Sequence, residues 1–491
     1  MTASARLCLL LVSLLAARAA AQERMNVLFI SIDDLRTEVG AFGSERALTP
    51  NIDRLAAQGV RFDRAYCQYP LCNPSRVSLL TGRYPVTSEI YGNRDWFGAW
   101  YPDWVSLPKY FKQQGYTTFR SGKIFHGNVI DDAEAWTIGG VPTRITEGRP
   151  ERTVARTAIT EAEDRERIAR MTATDVSRAR SSDRWEAVSD PGELAKLGDT
   201  VVTDRVIEFL SAHHPDHAPF FVGFGLVKPH SPLVAPKEFF DRYDLAAIEL
   251  PPDFAPRPQV PEGFPTASIR PINADLFIKR DASPQEAKEM IRAYLACTSY
   301  ADWNVGRVMA ALDAAGLREK TIVVLWSDHG YQLGEKGKWS KAGSLWEQGT
   351  RVPLVIHDPR AAGNGRASPR VVELLDLYRT LADLCGLPEP AGTEGRSLAP
   401  LLAAPDAPSA RPAYTVWNER GRGVTGVVVR TERWRYAEFF GPGAGAFLTD
   451  PINDPHELTN LVNDPKHRAM VAELAELARA HVRGKTEPTP P

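Results

Sequence analysis

The sequence predicts an α/β protein whose large, mostly parallel β-sheet is covered by helices on both faces. Four apolar runs rich in Val, Ile, Leu and Phe are typical of strands that are buried on both faces. Segments with helical start and stop signals fall between them, and strands that alternate with helices favour a parallel sheet. A chain of 491 residues is long enough for one large domain and a smaller partner.

The overall charge excludes binding modes that depend on a global electrostatic field. Lys and Arg total 59 against 61 Asp and Glu, so nucleic acid and anionic membranes are not expected partners. Hydrophobic residues make up 43% and charged residues 24%, as in an ordinary globular protein. An anionic substrate would therefore depend on local basic residues in a pocket.

The first 21 residues are typical of a secretory signal peptide. Arg6 precedes an apolar run at 7–17, and Ala19, Ala20 and Ala21 fit a small-residue cleavage site. The run is too short to span a bilayer, and no other apolar segment is long enough. We therefore exclude residues 1–21 from the fold and expect a secreted or periplasmic protein without a membrane span.

The cysteines of the mature chain are too few for a disulfide framework. Cys297 lies in a long helical pattern and Cys385 near a helix end, so both are expected to be small core residues. A bridge between Cys67 and Cys72 stays open, because export permits disulfides.

Each of the four apolar runs ends abruptly in polar side chains that can bind ligands. In open α/β sheets, ligands bind beyond the carboxyl ends of the strands, so the sequence predicts one convergent site there. The runs and their polar ends are NVLFISIDD with Asp33 and Asp34, YTTFRSGKIFHG with Lys123 and His126, FFVGFGLVKPHSP with Lys228 and His230, and TIVVLWSDHG with Asp328 and His329.

Helices are predicted between these strands. In TPNIDRLAAQG, Thr49 is the expected N-cap, Pro50 the first helical residue and Gly59 the stop. SLPKYFKQQG and DTVVTDRVIEFLSAH have the same pattern.

Three other segments define the expected organisation. Residues 137–195 are charge-dense with few apolar anchors, which favours a surface excursion and leaves open a wall or lid that selects substrate. The Pro-rich stretch 250–273 is expected to be an ordered loop over the sheet. The loop LLAAPDAPSARP separates a main domain at 22–405 from a C-terminal subdomain at 406–491, where a hairpin and a closing helix are predicted.

The acidic strand ends predict a site for a hard divalent cation. Paired aspartates repel each other unless a cation lies between them, and Asp328 adds a third carboxylate. With His329, this set favours calcium or magnesium over zinc. Taken alone, Asp33 and Asp34 would more simply cap the segment that follows them. Asp328–Gly330, taken alone, would more simply form a turn.

Cys72 precedes a predicted helix that runs through Pro74 and ends at Gly82. A helix N-terminus stabilises anions, so Cys72 is a candidate nucleophile, either as a thiolate or after conversion to a carbonyl. Arg76 lies about one turn further on and can face the same point. The alternative is that Arg76 only pairs with a surface carboxylate.

Lys123, His126, His230 and Lys341 add positive charge around the same strand ends. One such residue in a loop is usually solvated or caps a helix. Together they indicate a tetrahedral oxyanion bound beside a metal, and sulfate and phosphate both remain open.

At this point the chain resembles the type I sulfatases. LCNPSRVSLLTGRYP matches their C-x-P-S-R signature with its T-G-R extension, and the motifs for the metal, the lysines and the histidines follow in the family's order. Within the family, SGKIFHG, SPLVAP after KPH, DHGYQLGEKGKWSK and VPLVI are most similar to iduronate-2-sulfatases. The resemblance implies an alkaline-phosphatase-like sandwich with a large mixed, mostly parallel sheet and a C-terminal subdomain that carries a small antiparallel sheet.

The resemblance also implies the chemistry of the site. A maturation enzyme would oxidise Cys72 to formylglycine, and one hydroxyl of its hydrate would attack sulfur. His230 would protonate the leaving sugar oxygen, and His126 would help the second hydroxyl expel sulfate. The resemblance further implies that Arg76 holds the hydrate and that Lys123 and Lys341 bind sulfate oxygens. One calcium ion would be held by Asp33, Asp34, Asp328 and His329, together with residue 72.

The expected function is therefore a secreted sulfuric ester hydrolase acting on a sulfated oligosaccharide or polysaccharide, with the 2-O-sulfate of iduronate or a related uronate as the target. The alternatives are a sulfatase for another sulfated glycan and a phosphonate or phosphate ester hydrolase on the same fold. A glycan-binding protein without turnover would have disrupted catalytic positions, and none is disrupted here.

Overall fold

A computed structural model of the chain describes residues 24–126, 131–140, 182–214, 217–419 and 423–486. The predicted signal peptide lies outside these residues. Residues 141–181, which belong to the predicted surface excursion at 137–195, also lie outside them. The strands are β1 (Asn26–Ile32), β2 (Val60–Tyr66), β3 (Thr117–Gly122), β4 (Trp185–Val188), β5 (Phe220–Leu226), β6 (Leu233–Pro236), β7 (Thr321–Ser327), β8 (Arg351–Val352), β9 (Leu354–His357), β10 (Ala367–Glu373), β11 (Ala413–Trp417), β12 (Gly426–Arg430), β13 (Arg435–Phe439) and β14 (Gly445–Thr449).

The α-helices among the described residues alternate with these strands through the first three quarters of the chain. They are Pro50–Gln58, Cys72–Thr81, Pro85–Ser88, Phe97–Trp100, Leu107–Gln113, Pro191–Leu194, Gly198–Ala212, Lys237–Phe240, Pro284–Ala314, Glu347–Thr350, Asp376–Leu384, Ala399–Ala403 and Arg468–His481.

The main sheet has eight strands in the order β10-β2-β9-β7-β1-β5-β3, with β8 paired to β2. Among the strands of the described residues, only β8 and β9 run antiparallel to their neighbours in this sheet, so the predicted mostly parallel sheet is confirmed. The four strands predicted to end in polar residues are β7, β1, β5 and β3, and they are adjacent in the sheet. Ile32 at the end of β1 is in register with Ser327 on one side and Leu226 on the other. The residues that follow these strands therefore emerge side by side.

Both faces of the sheet are buried, because successive residues of each strand point to opposite sides. In β1, Val27 and Phe29 pack on one face, in a cluster with the helices Cys72–Thr81, Leu107–Gln113 and Asp376–Leu384. On the other face, Leu28, Ile30 and Ile32 pack in a cluster with side chains of Pro50–Gln58, Gly198–Ala212 and Pro284–Ala314. This two-sided burial explains why the strands are continuous apolar runs rather than alternating ones.

The predicted helix ends are close to those observed. Thr49 occupies the N-cap position before Pro50, although its side chain makes no capping hydrogen bond. Ser106 caps Leu107–Gln113 by accepting from the backbone N–H of Lys109. Cys72 is the first residue of its helix rather than the residue ahead of it, and Gly82 ends that helix with a φ of 65°, a left-handed conformation that glycine adopts without strain.

The C-terminal part contains an antiparallel sheet in the order β11-β12-β13-β14. The predicted hairpin is β12 and β13, and the predicted closing helix is Arg468–His481. Leu474 and Ala478 of this helix pack in one cluster with Val427 and Val429 of β12. The expected C-terminal antiparallel sheet is confirmed.

The end of the segment predicted as a surface excursion is partly ordered into a sheet. Strand β4 pairs in parallel with β6, which follows the loop that carries His230. The Pro-rich stretch has, as expected, little regular structure and contains one short 3₁₀ helix at Thr266–Ser268. Phe264 of this stretch packs against Trp346 and Phe447, so the loop contacts the segment between β7 and β8 and the C-terminal sheet.

The four cysteines of the described chain are free and buried, so Cys67 and Cys72 do not form a bridge. Cys297 and Cys385 are core residues, as expected. In the described part of the chain, no helix combines the length and apolarity needed to cross a bilayer.

Candidate active site

The four predicted strand ends converge on the first turn of the helix Cys72–Thr81. Asp33 and Asp34 follow β1, Lys123 and His126 follow β3, His230 follows β5, and Asp328 and His329 follow β7. The side chains of Asp33, Cys72, Asp328 and His329 can present ligand atoms that all lie within 4.8 Å of one another. The convergence expected from the sequence is therefore present in the fold.

Cys72 is buried at the centre of this cluster. Its Sγ lies 3.3 Å from Nε2 of His329. The helix start is fixed by the Ser75 hydroxyl, which donates to the carbonyl of Asp328, and by the backbone N–H of Asn73, which donates to Asn93. Burial alone would raise the pKa of the Cys72 thiol, but Lys123, Lys341 and His329 hold it well below its usual value. Position 72 is thus a place where negative charge is stabilised.

Arg76 is fully buried beneath Cys72 and binds the site's carboxylates. Its Nε donates to Oδ2 of Asp328 at 2.9 Å and its Nη2 to Oδ1 of Asp33 at 3.1 Å. Its Nη1 donates to Oγ of Ser31 and to two backbone carbonyls at 2.8–2.9 Å. The alternative of a surface ion pair is therefore wrong, because both carboxylates are buried site residues.

Asp33 is ionised despite its burial. Burial raises the pKa of a carboxyl group, but Lys123, His230 and Arg76 hold the pKa of Asp33 well below its usual value. Nζ of Lys123 donates to Oδ2 of Asp33, and the same ammonium group stabilises negative charge at position 72.

Asp34 has an unusual backbone conformation and an incomplete set of partners. Its φ is 62°, a left-handed value that costs energy in a non-glycine residue and is typical of functional sites. The hydroxyl of Tyr294 donates to its carbonyl at 2.7 Å, and its own N–H donates to Oδ1 of Asp328 at 3.2 Å. Nζ of Lys341 donates to Oδ2 at 2.9 Å, whereas Oδ1 is buried without a hydrogen-bond partner in the described structure.

This arrangement fits a hard divalent cation. A buried carboxylate oxygen without a partner is costly, and a cation would satisfy Oδ1 of Asp34. Nε2 of His329 lies 3.6 Å from that oxygen and 3.5 Å from Oδ2 of Asp328. Oxygen-rich sites of this kind suit calcium or magnesium. All five predicted ligands are buried. Asp33, Cys72, Asp328 and His329 form one close group, and Asp33, Asp34, Cys72 and His230 form an overlapping one.

The two catalytic candidates among the histidines have opposite electrostatic settings. Burial lowers the pKa of His126, more than its hydrogen bond to Cys72 raises it. Burial and Lys341 lower the pKa of His230, whereas Asp34, Asp33 and a hydrogen bond to Cys72 raise it, and the net shift is upward. Nε2 of His230 lies 4.0 Å from Oδ2 of Asp34. The two histidines therefore have pKa values shifted in opposite directions within one site.

Lys228, the other polar residue at the end of β5, has a structural role. Its Nζ donates to the carbonyls of His230 and Pro232 at 2.8 and 2.6 Å, which fixes the loop that presents the His230 ring. Asp199 supports the same loop by accepting from the backbone N–H groups of Val227 and Lys228.

Asp275 is a site residue that the sequence analysis missed. Nζ of Lys341 lies 3.3 Å from its Oδ1, so the lysine is held between Asp275 and Asp34. Oδ2 of Asp275 is buried and lacks a hydrogen-bond partner in the described structure. Asp275 follows the Pro-rich loop, and no motif surrounds it, so only the folded path of that loop reveals it.

The site can bind and cleave an ester of a tetrahedral oxyanion. Lys123 and Lys341 bring positive charge to position 72, where a nucleophile would attack. His230 and His126 lie at the same site, and the raised pKa of the first and the lowered pKa of the second suit an acid and a base, respectively. Comparisons with known proteins specify the oxyanion.

Residues 25–387 match the family described as Sulfatase, and residues 334–483 match N-sulphoglucosamine sulphohydrolase, C-terminal. A Formosa agariphila protein named sulfatase is 32% identical over 467 residues, which cover 93% of this chain and 86% of that protein. Iduronate 2-sulfatase of Mus musculus is 30% identical over 540 residues, which cover 92% of this chain and 94% of the mouse protein.

A solved structure described as a complex with its substrate D-glucosamine-2-N,6-O-disulfate has a TM-score of 0.69 at 20% identity, and the match covers 93% of this chain and 97% of that one. This similarity supports the alkaline-phosphatase-like fold. The family match spans most of the chain and agrees with the motifs and their convergence. The chain therefore belongs to the sulfatase family, as an iduronate-2-sulfatase-like type I sulfuric ester hydrolase.

Proposed function

We propose that this sulfatase removes the 2-O-sulfate from iduronate, or from a related uronate, in a glycosaminoglycan or another sulfated polysaccharide. The observation that carries the proposal is the similarity to mouse iduronate 2-sulfatase over nearly the whole of both chains. The buried, cationic surroundings of position 72 support it, because a sulfate ester needs positive charge around its oxygens.

Cys72 is proposed to act after conversion to formylglycine by a maturation enzyme. When hydrated, that group supplies a nucleophilic hydroxyl at the start of the helix. The fit is chemical: Lys123, Lys341 and His329 stabilise negative charge at position 72. The same surroundings favour an ionised hydroxyl as the nucleophile.

Lys123 and Lys341 are proposed to bind the sulfate oxygens. Their ammonium groups are held by Asp33 and by the Asp34–Asp275 pair, so their positions are fixed before the substrate binds. Preorganised charges of this kind stabilise a transition state without a reorganisation cost.

The histidines are proposed to move the protons. His230, with its raised pKa, protonates the sugar oxygen as the ester bond breaks. His126, with its lowered pKa, accepts a proton from residue 72 when sulfate leaves. Their opposite pKa shifts match these two roles.

Arg76 is proposed to orient the carboxylates rather than to bind the substrate. The resemblance implies that it holds the hydrate, but its hydrogen bonds go to Asp33, Asp328, Ser31 and two carbonyls. It therefore acts on residue 72 mainly through the residues around it.

One calcium ion is proposed to bind Asp33, Asp34, Asp328, His329 and residue 72. The ion would neutralise the three carboxylates and draw electron density from a sulfate oxygen. The protein is also proposed to be exported by the signal peptide at 1–21, and the N-terminus of the secreted protein should then begin just after residue 21.

The experiment compares two disaccharides that differ only in sulfate position. One carries sulfate on O2 of iduronate and the other on O6 of the neighbouring glucosamine, and released sulfate is measured by ion chromatography. Release from the first disaccharide alone supports the proposal.

Other outcomes favour the alternatives. Turnover of an aryl sulfate but of neither disaccharide moves the search to other glycans, and turnover of an aryl phosphonate alone favours the phosphonate alternative. Binding without release by protein whose Cys72 is unmodified would indicate a glycan-binding protein.

A further inference from the structure

A second basic cavity lies between the main sheet and the C-terminal sheet. It has a volume of about 520 Å³. Its walls come from the turn at 40–43, from β2, from the start of β8 and from the segment after β14. None of its lining residues belongs to the cluster around Cys72. Cavities between structural units are frequent ligand sites.

Four arginines line this cavity, against two carboxylates. They are Arg61, Arg64, Arg351 and Arg430, and the carboxylates are Asp63 and Glu347.

Both carboxylates are already engaged. Asp63 accepts from Nε of Arg61 at 2.7 Å. Glu347 accepts from Arg430 and Arg435, and these two with Arg351 hold its pKa well below the usual value despite its burial. Each carboxylate is thus hydrogen-bonded to another arginine, although the charge of Arg351 also acts on Glu347.

The lining carries two more guanidinium groups than carboxylates, and in the described part of the chain the guanidinium groups of Arg64 and Arg351 are the two whose hydrogen bonds go only to backbone carbonyls. Arg64 donates to the carbonyl of Pro369, and Nε of Arg351 donates to the carbonyl of Asp63 at 2.8 Å. Neither makes a salt bridge to a carboxylate in the described part of the chain. Both residues are half-buried, and charges near a partly buried surface attract anions more strongly than fully solvated ones do.

The rim of the cavity is apolar. Phe42, Pro451 and Ile452 line it, and Ile452 is 54% exposed. An exposed Ile beside unpaired guanidinium groups suits a ligand that has both an aliphatic face and an anionic substituent. A sugar ring that carries a sulfate or carboxylate has this combination, and a planar guanidinium binds such oxyanions through two parallel hydrogen bonds.

We propose that this cavity is an accessory subsite that binds a sulfated or carboxylated sugar of the glycan chain, apart from the catalytic centre. The identity of the glycan rests on the proposed function, whereas the binding of an anionic sugar does not. The subsite would hold a long substrate while one of its residues occupies the active site.

The test measures binding in the Cys72→Ala background, where turnover cannot alter the ligand. The probe is a heparin-derived decasaccharide, titrated by isothermal calorimetry at physiological salt. The double variant Arg64→Gln/Arg351→Gln is expected to bind about tenfold more weakly, a change of about 1.4 kcal/mol. Arg205→Gln, which alters an exposed arginine on the helix Gly198–Ala212, is expected to bind as the parent does.

Ile452→Glu gives a second route to the same result. It places a carboxylate at the exposed rim and removes no hydrogen bond, so folding is expected to be unaffected while decasaccharide binding weakens. Unchanged affinity in both the double variant and Ile452→Glu would overturn the subsite. If inorganic sulfate binding depends on the arginines and decasaccharide binding does not, the cavity takes free anions and the proposal is wrong.

A kinetic comparison separates the subsite from the proposed function. In protein with Cys72 intact, the double variant is expected to raise KM for the polymer several-fold and to leave disaccharide turnover unchanged. Absence of turnover on any iduronate 2-O-sulfate would contradict the proposed function, while the calorimetric result would still decide the subsite.

Discussion

Replacing Arg76 by Met tests how the buried carboxylates of the site are held. The substitution keeps a long, unbranched side chain but removes a guanidinium that is completely buried. In the structure, this guanidinium contacts Asp328 at 2.9 Å and Asp33 at 3.1 Å, and three further oxygens accept hydrogen bonds from it. The variant leaves two buried carboxylates with one fewer cation.

The expected loss of stability is large. Removing one partner of a buried ion pair costs about 3–5 kcal/mol, because the remaining charge stays desolvated. Against a total unfolding free energy of roughly 5–15 kcal/mol, Arg76→Met should lose about a fifth of the stability or more. The protonation of Asp328 would relieve part of the cost, since burial raises the pKa of this carboxyl to about 7 even with Arg76 and His329 nearby.

Urea unfolding followed by tryptophan fluorescence measures this loss. A chelator is present, so that only protein groups compensate the carboxylates. Arg205→Met, on an exposed helix face, serves as the control and should change stability by no more than about 0.5 kcal/mol. A loss below about 1 kcal/mol in Arg76→Met would refute the reasoning, because it would mean that the carboxylates do not need this guanidinium.

Three further predictions follow from the geometry. Asp275→Asn removes the negative charge of a carboxylate that lies 3.3 Å from Nζ of Lys341. The variant should lower kcat roughly 10- to 100-fold with little change in the thermal midpoint of unfolding. An unchanged kcat would show that Asp34 alone positions the lysine. Thorough chelation should abolish sulfate release. Added calcium should restore the release in the parent protein but not in Asp328→Ala. Full activity after chelation would contradict the metal site. Burial, and then Arg411, lower the pKa of His481 from 6.5 to about 4, so the unfolded chain binds more protons between these pH values. Stability should therefore fall on acidification through that window, by at most about 3–4 kcal/mol. Urea unfolding of His481→Phe should show a flatter pH dependence than the parent, and equal curves would contradict this.

The sequence predicted the parts of the fold that have strong local signals. Continuous apolar runs with polar ends predicted β1, β3, β5 and β7, and Thr49, Pro50 and Gly82 predicted helix ends to within a residue. Each of these signals lies within a dozen residues of chain. The convergence of the strand ends followed from a general rule about parallel sheets.

The order of the strands could not be predicted in this way. The adjacency of β7, β1, β5 and β3 depends on pairing between segments almost 300 residues apart, and no local pattern encodes it. The partners of Arg76 depend on the same pairing. Asp275 was missed because it follows an irregular loop, where the path of the chain and not its periodicity brings the carboxylate to Lys341.

The pairing of β4 with β6 was hidden for a different reason. The charged composition of 137–195 favoured a solvated excursion, but the short strand Trp185–Val188 lies at the end of that segment. A four-residue strand is too short to shift the composition of its surroundings. Its pairing partner follows the His230 loop, so this part of the segment adjoins the site.

The most direct test of the account is sulfate release by protein produced together with a maturation enzyme, with Cys72→Ala as the matched blank. The substrate is a 2-O-sulfated iduronate disaccharide, and mass spectrometry of the peptide that contains residue 72 is recorded on the same preparation. The account predicts that residue 72 is converted to an aldehyde, that sulfate is released, and that the blank releases none. Converted protein that releases no sulfate from this disaccharide or from an aryl sulfate would contradict it, and so would equal release by the blank.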